Sequence, residues 1–369
     1  MSCVPFGLVV QWQPLRRDGE CRRRPCASER RPPGARRRRR RPPNPPLSVP
    51  RTAAGARRYR AERAHRECAR WEARWYRGCP SALEAKGVFV AAEVADVGIA
   101  GIIGFVGAGN MAAALVRGLL GERVVTPEQL WATNRSNDAR LAALRDRHGI
   151  AVTRSKREIA GAASILVLAV KPRDMSEVLR ELDGLVRADH LVISVAAGIP
   201  LRTIEAALPG AAVVRAMPNT SAAVQESATA VAAGAHAGPA HLATAETIFR
   251  AVGDVMTVDE DLLDVVTGLS GSGPAYVYRL IEAMIHAGTE LGLEGPLARR
   301  LAIQTLVGAA RMLETSREDP GALRERVTSP GGTTMAALRA LEDRGFAAAI
   351  REAIGRAADR AREMSEEFG

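Results

Sequence analysis

Hydrophobic and polar positions divide most of this chain into short apolar runs, polar breaks and longer segments with helical spacing. Ile102 to Val106 is β-branched or apolar apart from one glycine. It breaks into Gly107-Ala108-Gly109 before an Ala- and Leu-rich stretch whose apolar residues recur at helical intervals. Strand, tight glycine turn and helix are the elements this predicts. Further along, Leu130–Thr133, Ile150–Val152, Ser164–Val170 and Leu191–Val195 read as buried strands, with a helix over Ser136–Arg147. Strands separated by helical segments of this length predict right-handed crossovers and a doubly wound parallel sheet. From Asp259 onward the period changes to three and four. Leu280–Leu291, Leu297–Leu313 and Phe346–Met364 read as helices, punctuated by Gly292, Gly295-Pro296 and Pro320-Gly321. The fold class is therefore α/β, a Rossmann-type doubly wound sheet over about 99–258 followed by an all-helical domain over 259–369.

The first glycine turn carries chemistry as well as geometry. Gly107-x-Gly109-x-x-Ala112 fits the dinucleotide fingerprint, in which one glycine makes the turn, the next lets a pyrophosphate approach, and a small third residue lets helix and strand pack. Free N–H groups at the start of the following helix supply an anion site, so Gly107, Ala108, Gly109, Asn110 and Met111 are candidate cofactor contacts. The strand Leu130–Thr133 ends at Asn134-Arg135-Ser136, where an NAD-preferring site usually places a carboxylate. Arg135 can pair with a 2′-phosphate, with Asn134 and Ser136 hydrogen-bonding to it, which favours NADPH while leaving NADH possible. The alternative is a solvated arginine at a helix start. Other strand ends carry Ala169-Val170-Lys171-Pro172, Ser194 to Ile199, and Arg215 to Thr220. Ala169, Val170 and Lys171 are placed to approach the ribose or nicotinamide, and Asn219 the nicotinamide or a substrate. Each is also ordinary loop chemistry; together they outline one cleft.

Charge changes the picture only when split by position. The net charge of +11 looks like that of a nucleic-acid binder. Yet residues 1–90 hold 23 of the 52 basic and 7 of the 41 acidic side chains, leaving 29 and 34 for the rest. The first 98 residues read as an Arg- and Pro-rich leader, largely disordered, with six arginines at Arg36–Arg41 followed by Pro42-Pro43-Asn44-Pro45-Pro46. An arm for nucleic acid is one reading of it, an extension without a role the other. All five cysteines, Cys3, Cys21, Cys26, Cys68 and Cys79, lie in this leader without zinc-site spacing, so no metal is assigned. The body then has no thiol chemistry, its longest apolar runs are too short to cross a bilayer, and the reading is a soluble cytoplasmic protein.

Five motifs, taken together, resemble the pyrroline-5-carboxylate reductase family: Phe105-Val-Gly-Ala-Gly-Asn-Met-Ala112, Ala169-Val-Lys-Pro172, Arg215-Ala-Met-Pro-Asn-Thr220, Thr267-Gly-Leu-Ser-Gly-Ser-Gly-Pro-Ala-Tyr276 and Ser329-Pro-Gly-Gly-Thr-Thr334. They stand in the family's order and spacing, and the similarity runs from about Ile102 to Glu366. Ser221 departs from it, since the family usually has a proline after Asn-Thr. The resemblance implies hydride transfer from NAD(P)H to 1-pyrroline-5-carboxylate, the last step of proline biosynthesis. It also implies a homodimer or ring of dimers whose helices interleave and whose substrate sites are completed across the interface. Spacing alone is equally consistent with a monomeric bundle. Thr267 matches the family's position for a catalytic donor at the imine nitrogen, while a protonated imine would need it only for orientation.

Imine reduction needs a hydride donor, an oriented C=N bond and a held carboxylate, but no strong nucleophile. The body agrees, since no histidine lies in any of the five motifs. The carboxylate is assigned to Ser329, Gly331, Gly332, Thr333 and Thr334, a glycine and hydroxyl turn opening a helix from about Met335. An ordinary N-cap explains one hydroxyl there, not two glycines flanked by three. Gly268 to Tyr276 reads as a second such turn, with Pro274 starting a long helix. Another imine or β-hydroxyacid-type NADP-dependent reductase is the nearest alternative. The latter chemistry usually takes a lysine on the interdomain helix, whereas the segment after Pro274 offers Arg279 and His286. A nucleic-acid-binding protein acting through the leader is the alternative of another class. It predicts salt-sensitive binding that disappears on deleting residues 1–98.

Overall fold

The computed structural model describes residues 99–368, so the expectations for the leader, including its disorder and its cysteines, lie outside the described residues. Eight strands form one sheet in the order β3-β2-β1-β4-β5-β6-β7-β8. They are β1 Ile103–Val106, β2 Leu130–Thr133, β3 Ala151–Thr153, β4 Ile165–Leu168, β5 Leu191–Ser194, β6 Ala212–Met217, β7 Ser227–Ala233 and β8 Gly253–Thr257. The helices between them are α1 Asn110–Gly121, α2 Asp138–His148, α3 Lys156–Ala162, α4 Met175–Leu182, α5 Leu201–Ala207 and α6 Pro239–Arg250. Every residue of β1, β4 and β5 is buried, because helices cover both faces. One apolar layer holds Phe105, Leu115, Leu119, Ile193 and Phe249, the other Leu166, Leu168, Met175, Leu182 and Val213.

The sheet departs from the all-parallel expectation at one seam: β7 runs antiparallel to β6, pairing Val214 with Ala233 and Met217 with Ala230. Neither β7 nor β8 is marked by the apolar pattern, since Ser-Ala-Thr-Ala-Val-Ala-Ala is poor in the large β-formers that announce a strand. The helix expected over Ser136–Arg147 begins two residues later, where the side chain of Asn137 accepts the N–H of Arg140 as its cap.

After β8 the chain is helical throughout: α7 Leu263–Val266, a π-helical stretch Thr267–Gly271, α8 Gly273–Glu290, α9 Gly295–Ser316, α10 Pro320–Arg326, α11 Thr333–Asp343 and α12 Phe346–Phe368. Here the second glycine turn of the sequence reading is corrected. Gly268 and Gly271 sit inside a widened helix, not a turn. Both are small because other atoms come close: a Cβ on Gly268 would lie 2.6 Å from the Ile354 carbonyl oxygen, and one on Gly271 2.6 Å from Met217 Cε. Arg215 ties this segment to the sheet. It is 4% exposed, with its guanidinium 3.1 Å from Glu260 Oε1 and 3.3 Å from Asp264 Oδ1. α12 then returns to the sheet, where Met364 covers Gly198 beyond the end of β5.

Candidate active site

The carboxyl ends of β1, β2 and β4 meet at Gly107. Its N–H donates to the Thr133 carbonyl oxygen at 2.9 Å, and the Ala169 N–H donates to that of Val106 at 2.8 Å. Gly107 has φ +107°, and a Cβ there would lie 2.5 Å from the Ala169 carbonyl oxygen and 3.0 Å from Val170 Cγ1. The turn therefore requires glycine for the fold itself. Gly109 differs. It is the N-cap of α1 at φ −78°, and the nearest atom to a Cβ would be 3.8 Å away. Nothing among the described residues forbids a side chain at Gly109, so its smallness leaves room for a group lying against the backbone. No side chain caps α1 and no acid stands in its first turn, so its N–H groups and dipole face outward for an anion. The residues present thus fit a dinucleotide pyrophosphate.

Gly107, Ala108, Gly109, Asn110 and Met111, the Asn134–Ser136 loop, and Ala169, Val170 and Lys171 come together on this one edge of the sheet. Asn134 turns its own loop, its Oδ1 accepting the Ser136 N–H at 3.4 Å. Arg135 is not an isolated solvated cation. Its guanidinium lies 2.5 Å from Glu177 Oε2 and 3.6 Å from Asp174 Oδ1, both from the crossover that follows Lys171. A second cation was not singled out by the sequence pattern. Arg140, in the first turn of α2, donates from Nη1 to Asn110 Oδ1 at 3.2 Å, with the Ala108 carbonyl oxygen 3.5 Å away. Its only signal was an arginine three residues beyond an Asn cap.

Asn219, at the end of β6, is 9% exposed and committed to holding structure: Nδ2 donates to the Ser270 carbonyl oxygen at 3.1 Å, while Oδ1 accepts the Ser221 N–H at 3.0 Å. It thereby fixes the π-helical stretch against the sheet edge. Tyr276, given no role of its own in the sequence analysis, holds the stretch from the α8 side, donating to the Gly268 carbonyl oxygen at 2.9 Å. At the start of the same stretch the Thr267 hydroxyl donates a hydrogen bond to the Leu263 carbonyl oxygen at 2.7 Å. The Thr267 oxygen retains acceptor lone pairs. A π-helical turn held this way is a recurrent feature of functional sites.

The Ser329–Thr334 turn stands apart. Gly331 has φ +72°, Gly332 is the N-cap, and α11 starts at Thr333, two residues before the expected position. A Cβ on Gly332 would lie 2.4 Å from Ser329 Oγ. No side chain caps α11, so neither Ser329 nor the two threonines are spent as the ordinary N-cap would require. Among the described residues, no hydrogen bond joins this turn to the sheet. Its helix packs on α12. A separate cavity of about 340 Å³, lined by Ser164, Asp189, Leu191, His241 and Thr244, lies by the amino ends of β4 and β5. That is the opposite edge from the glycine turn, and open α/β sheets bind ligands at the carboxyl ends.

Comparison with known proteins places the chain in a family. The family described as pyrroline-5-carboxylate reductase dimerisation matches residues 260–364, and that described as NADP oxidoreductase coenzyme F420-dependent matches residues 102–198. Pyrroline-5-carboxylate reductase 2 of Bacillus subtilis is 43% identical over 267 residues, 72% of this chain and 96% of that protein. Among solved structures, a pyrroline-5-carboxylate reductase from Coxiella burnetii aligns with TM-score 0.68 at 39% identity, covering 72% of this chain and 98% of the other. The Plasmodium falciparum pyrroline carboxylate reductase with NADP bound aligns with TM-score 0.66 at 28% identity, over 72% and 98%. The chain belongs to the pyrroline-5-carboxylate reductase family.

Proposed function

We propose that this chain reduces 1-pyrroline-5-carboxylate to L-proline with NAD(P)H, as a cytoplasmic homo-oligomer, through the residues gathered at the carboxyl edge of its sheet. The observation that carries the site assignment is the pair Gly107 and Gly109: the first is demanded by the fold, the second is free of internal contact and leaves a cradle beside the N-terminus of α1. The glycine turn and the α1 N–H groups hold the pyrophosphate. Arg135 faces the 2′-phosphate, with Arg140 steadying Asn110 beside the turn. When bound, the nicotinamide supplies the hydride.

The protein's own contribution is position. Thr267 spends its O–H in a hydrogen bond to the Leu263 carbonyl oxygen, so toward the substrate its oxygen accepts. A protonated imine nitrogen donates to that oxygen, and the ring is turned so that its C=N carbon faces the hydride. The proton arrives on the substrate, and Thr267 orients it without donating one. The substrate carboxylate takes the open N–H groups of α11 with Ser329 and Thr334. Because this turn makes no hydrogen bond to the sheet of its own chain, the partner copy is the natural source of the carboxylate site for each nicotinamide. The large apolar residues left exposed on α8 and α9, among them Tyr278, Leu297 and Leu301, form the face on which that copy packs.

Steady-state oxidation of NADPH with pyrroline-5-carboxylate tests this. The native chain should turn over, and Thr334→Ala should raise KM about tenfold with kcat changed less than about threefold, the mark of a lost hydrogen bond to a charged group in ground and transition states alike. A folded oligomer that binds NADPH but shows no turnover would sink the substrate assignment. A Thr334→Ala variant with unaltered KM would sink the carboxylate turn alone.

A further inference from the structure

The cation proposed for the 2′-phosphate is held from across the cleft. Arg135 contacts Glu177 and Asp174, while the neighbouring arginines point elsewhere: Arg140 to Asn110 and Ala108, Arg154 to Asp138 and to the Arg135 carbonyl oxygen. Neither carboxylate serves the local fold in an evident way. Asp174 is the N-cap residue of α4, yet its side chain accepts no capping hydrogen bond. Among the described residues, the hydrogen bond from Arg135 is the only one the Glu177 side chain makes. Asp174 ends the β4-to-α4 connection that also carries Lys171, and Glu177 stands in the first turn of α4, so both are positioned by the chain that directly follows the cleft-lining Ala169–Lys171 segment.

We infer that Asp174 and Glu177 are specificity-determining residues that hold down the preference for NADPH over NADH, by competing with the 2′-phosphate for Arg135 and repelling it. The inference rests on the reading of Arg135 given under the proposed function. A 2′-hydroxyl carries no charge and meets neither effect, so the two acids weaken one cofactor and spare the other. In charge terms, one arginine and two carboxylates present a net −1 to an incoming phosphate dianion; neutralising both acids turns that to +1. The groups are solvent-accessible, with side-chain exposures of 59% for Arg135, 43% for Glu177 and 29% for Asp174. Exposed pairs of this kind are weak and screened by salt, so the effect is a modest factor and not an on–off switch.

The test is a fluorescence titration of NADPH and of NADH onto the full chain, without substrate, for the native protein, Asp174→Asn/Glu177→Gln, Arg135→Ala and the triple variant. The expected result is NADPH binding tightened about three- to tenfold in the double variant, with NADH changed less than about twofold. The gain should shrink in high salt and be mostly lost when Arg135 is also removed. If Arg135→Ala lowers the NADPH-to-NADH affinity ratio but the double variant leaves it within twofold of native, the role of the acids is overturned while the reading of Arg135 stands. If Arg135→Ala leaves the ratio unchanged, the reading of Arg135 fails and the inference with it. Retained NADH binding shows in the same titration that the variants are folded.

Discussion

Between Ile99 and Leu263 the chain buries most of its large apolar residues within itself; beyond that point it hardly does. In the sheet region Phe105, Leu115, Leu130, Leu166, Ile193 and Phe249 are each at most 0% exposed. Beyond Leu263 only Gly268 and the alanines Ala298, Ala302, Ala358 and Ala361 are buried, while Leu269, Tyr278, Leu291, Leu301 and Met312 are 50% exposed or more. The 18-residue α8 contains no buried residue at all. A helix gains its stability in water mainly from packing an apolar face, so an uncovered helix of this composition marks a surface that a partner covers. The cofactor half is thus complete within one chain, and the helical half is completed by the homo-oligomer to which its dimerisation family points.

The sharpest way to break this contrast is to charge the uncovered face. Leu297→Arg with Leu301→Arg alters residues 47% and 50% exposed, so the single chain should fold as before. In a twofold assembly each change counts twice, and losing about 1.5–3 kcal/mol per buried leucine weakens association by more than about a hundredfold. Sedimentation should show a folded monomer that still binds NADPH and no longer turns over. A variant that remains a dimer at native strength would mean that another face carries the contact.

Arg215→Ala attacks the join between the two regions. It leaves Glu260 and Asp264 facing each other without their cation, and it removes one of the two donors, with the Leu201 N–H, on Glu260 Oε1. Breaking a fully buried pair costs about 3–5 kcal/mol; because Glu260 and Asp264 are 30% and 16% exposed, about 2–4 is expected here. Urea unfolding of the variant in the monomeric background separates this from any change in assembly. A loss below about 1 kcal/mol would show that apolar packing of α12, not Arg215, holds the regions together.

The same contrast explains what could be read in the sequence. Strands β1, β2, β4 and β5 declare themselves because both faces are packed and nearly every position is apolar, Thr133 and Ser194 at their carboxyl ends excepted, so pattern and environment coincide. The glycine turn is legible because a positive φ and a close carbonyl demand one residue type at Gly107. Gly268 to Tyr276 reads as a turn because glycine and serine favour turns locally, whereas the π-helical form of Thr267–Gly271 is held by Asn219, Tyr276 and the backbone of α12, all distant or on another turn. The partners of Arg135 lie about forty positions away, at Asp174 and Glu177, and no local rule brings them there. Resemblance to a family supplied the roles of Thr267 and the Ser329–Thr334 turn, which spacing alone did not.

The smallest change in stability, and the most discriminating, lies within the self-sufficient half. Gly107→Ala places a Cβ 2.5 Å from a carbonyl oxygen at φ +107° and should cost about 1–3 kcal/mol of folding free energy. Gly109→Ala meets nothing closer than 3.8 Å at φ −78°, so its melting transition should stay within about 0.5 kcal/mol of native. Its cost appears only with the cofactor, where the added methyl occupies the space left for the pyrophosphate, and NADPH affinity should fall at least about tenfold. The two glycines thus separate folding from binding two residues apart. If Gly109→Ala were to bind NADPH as well as native, the space beside α1 would no longer be explained by the pyrophosphate, and the cofactor would have to lie elsewhere along the carboxyl edge.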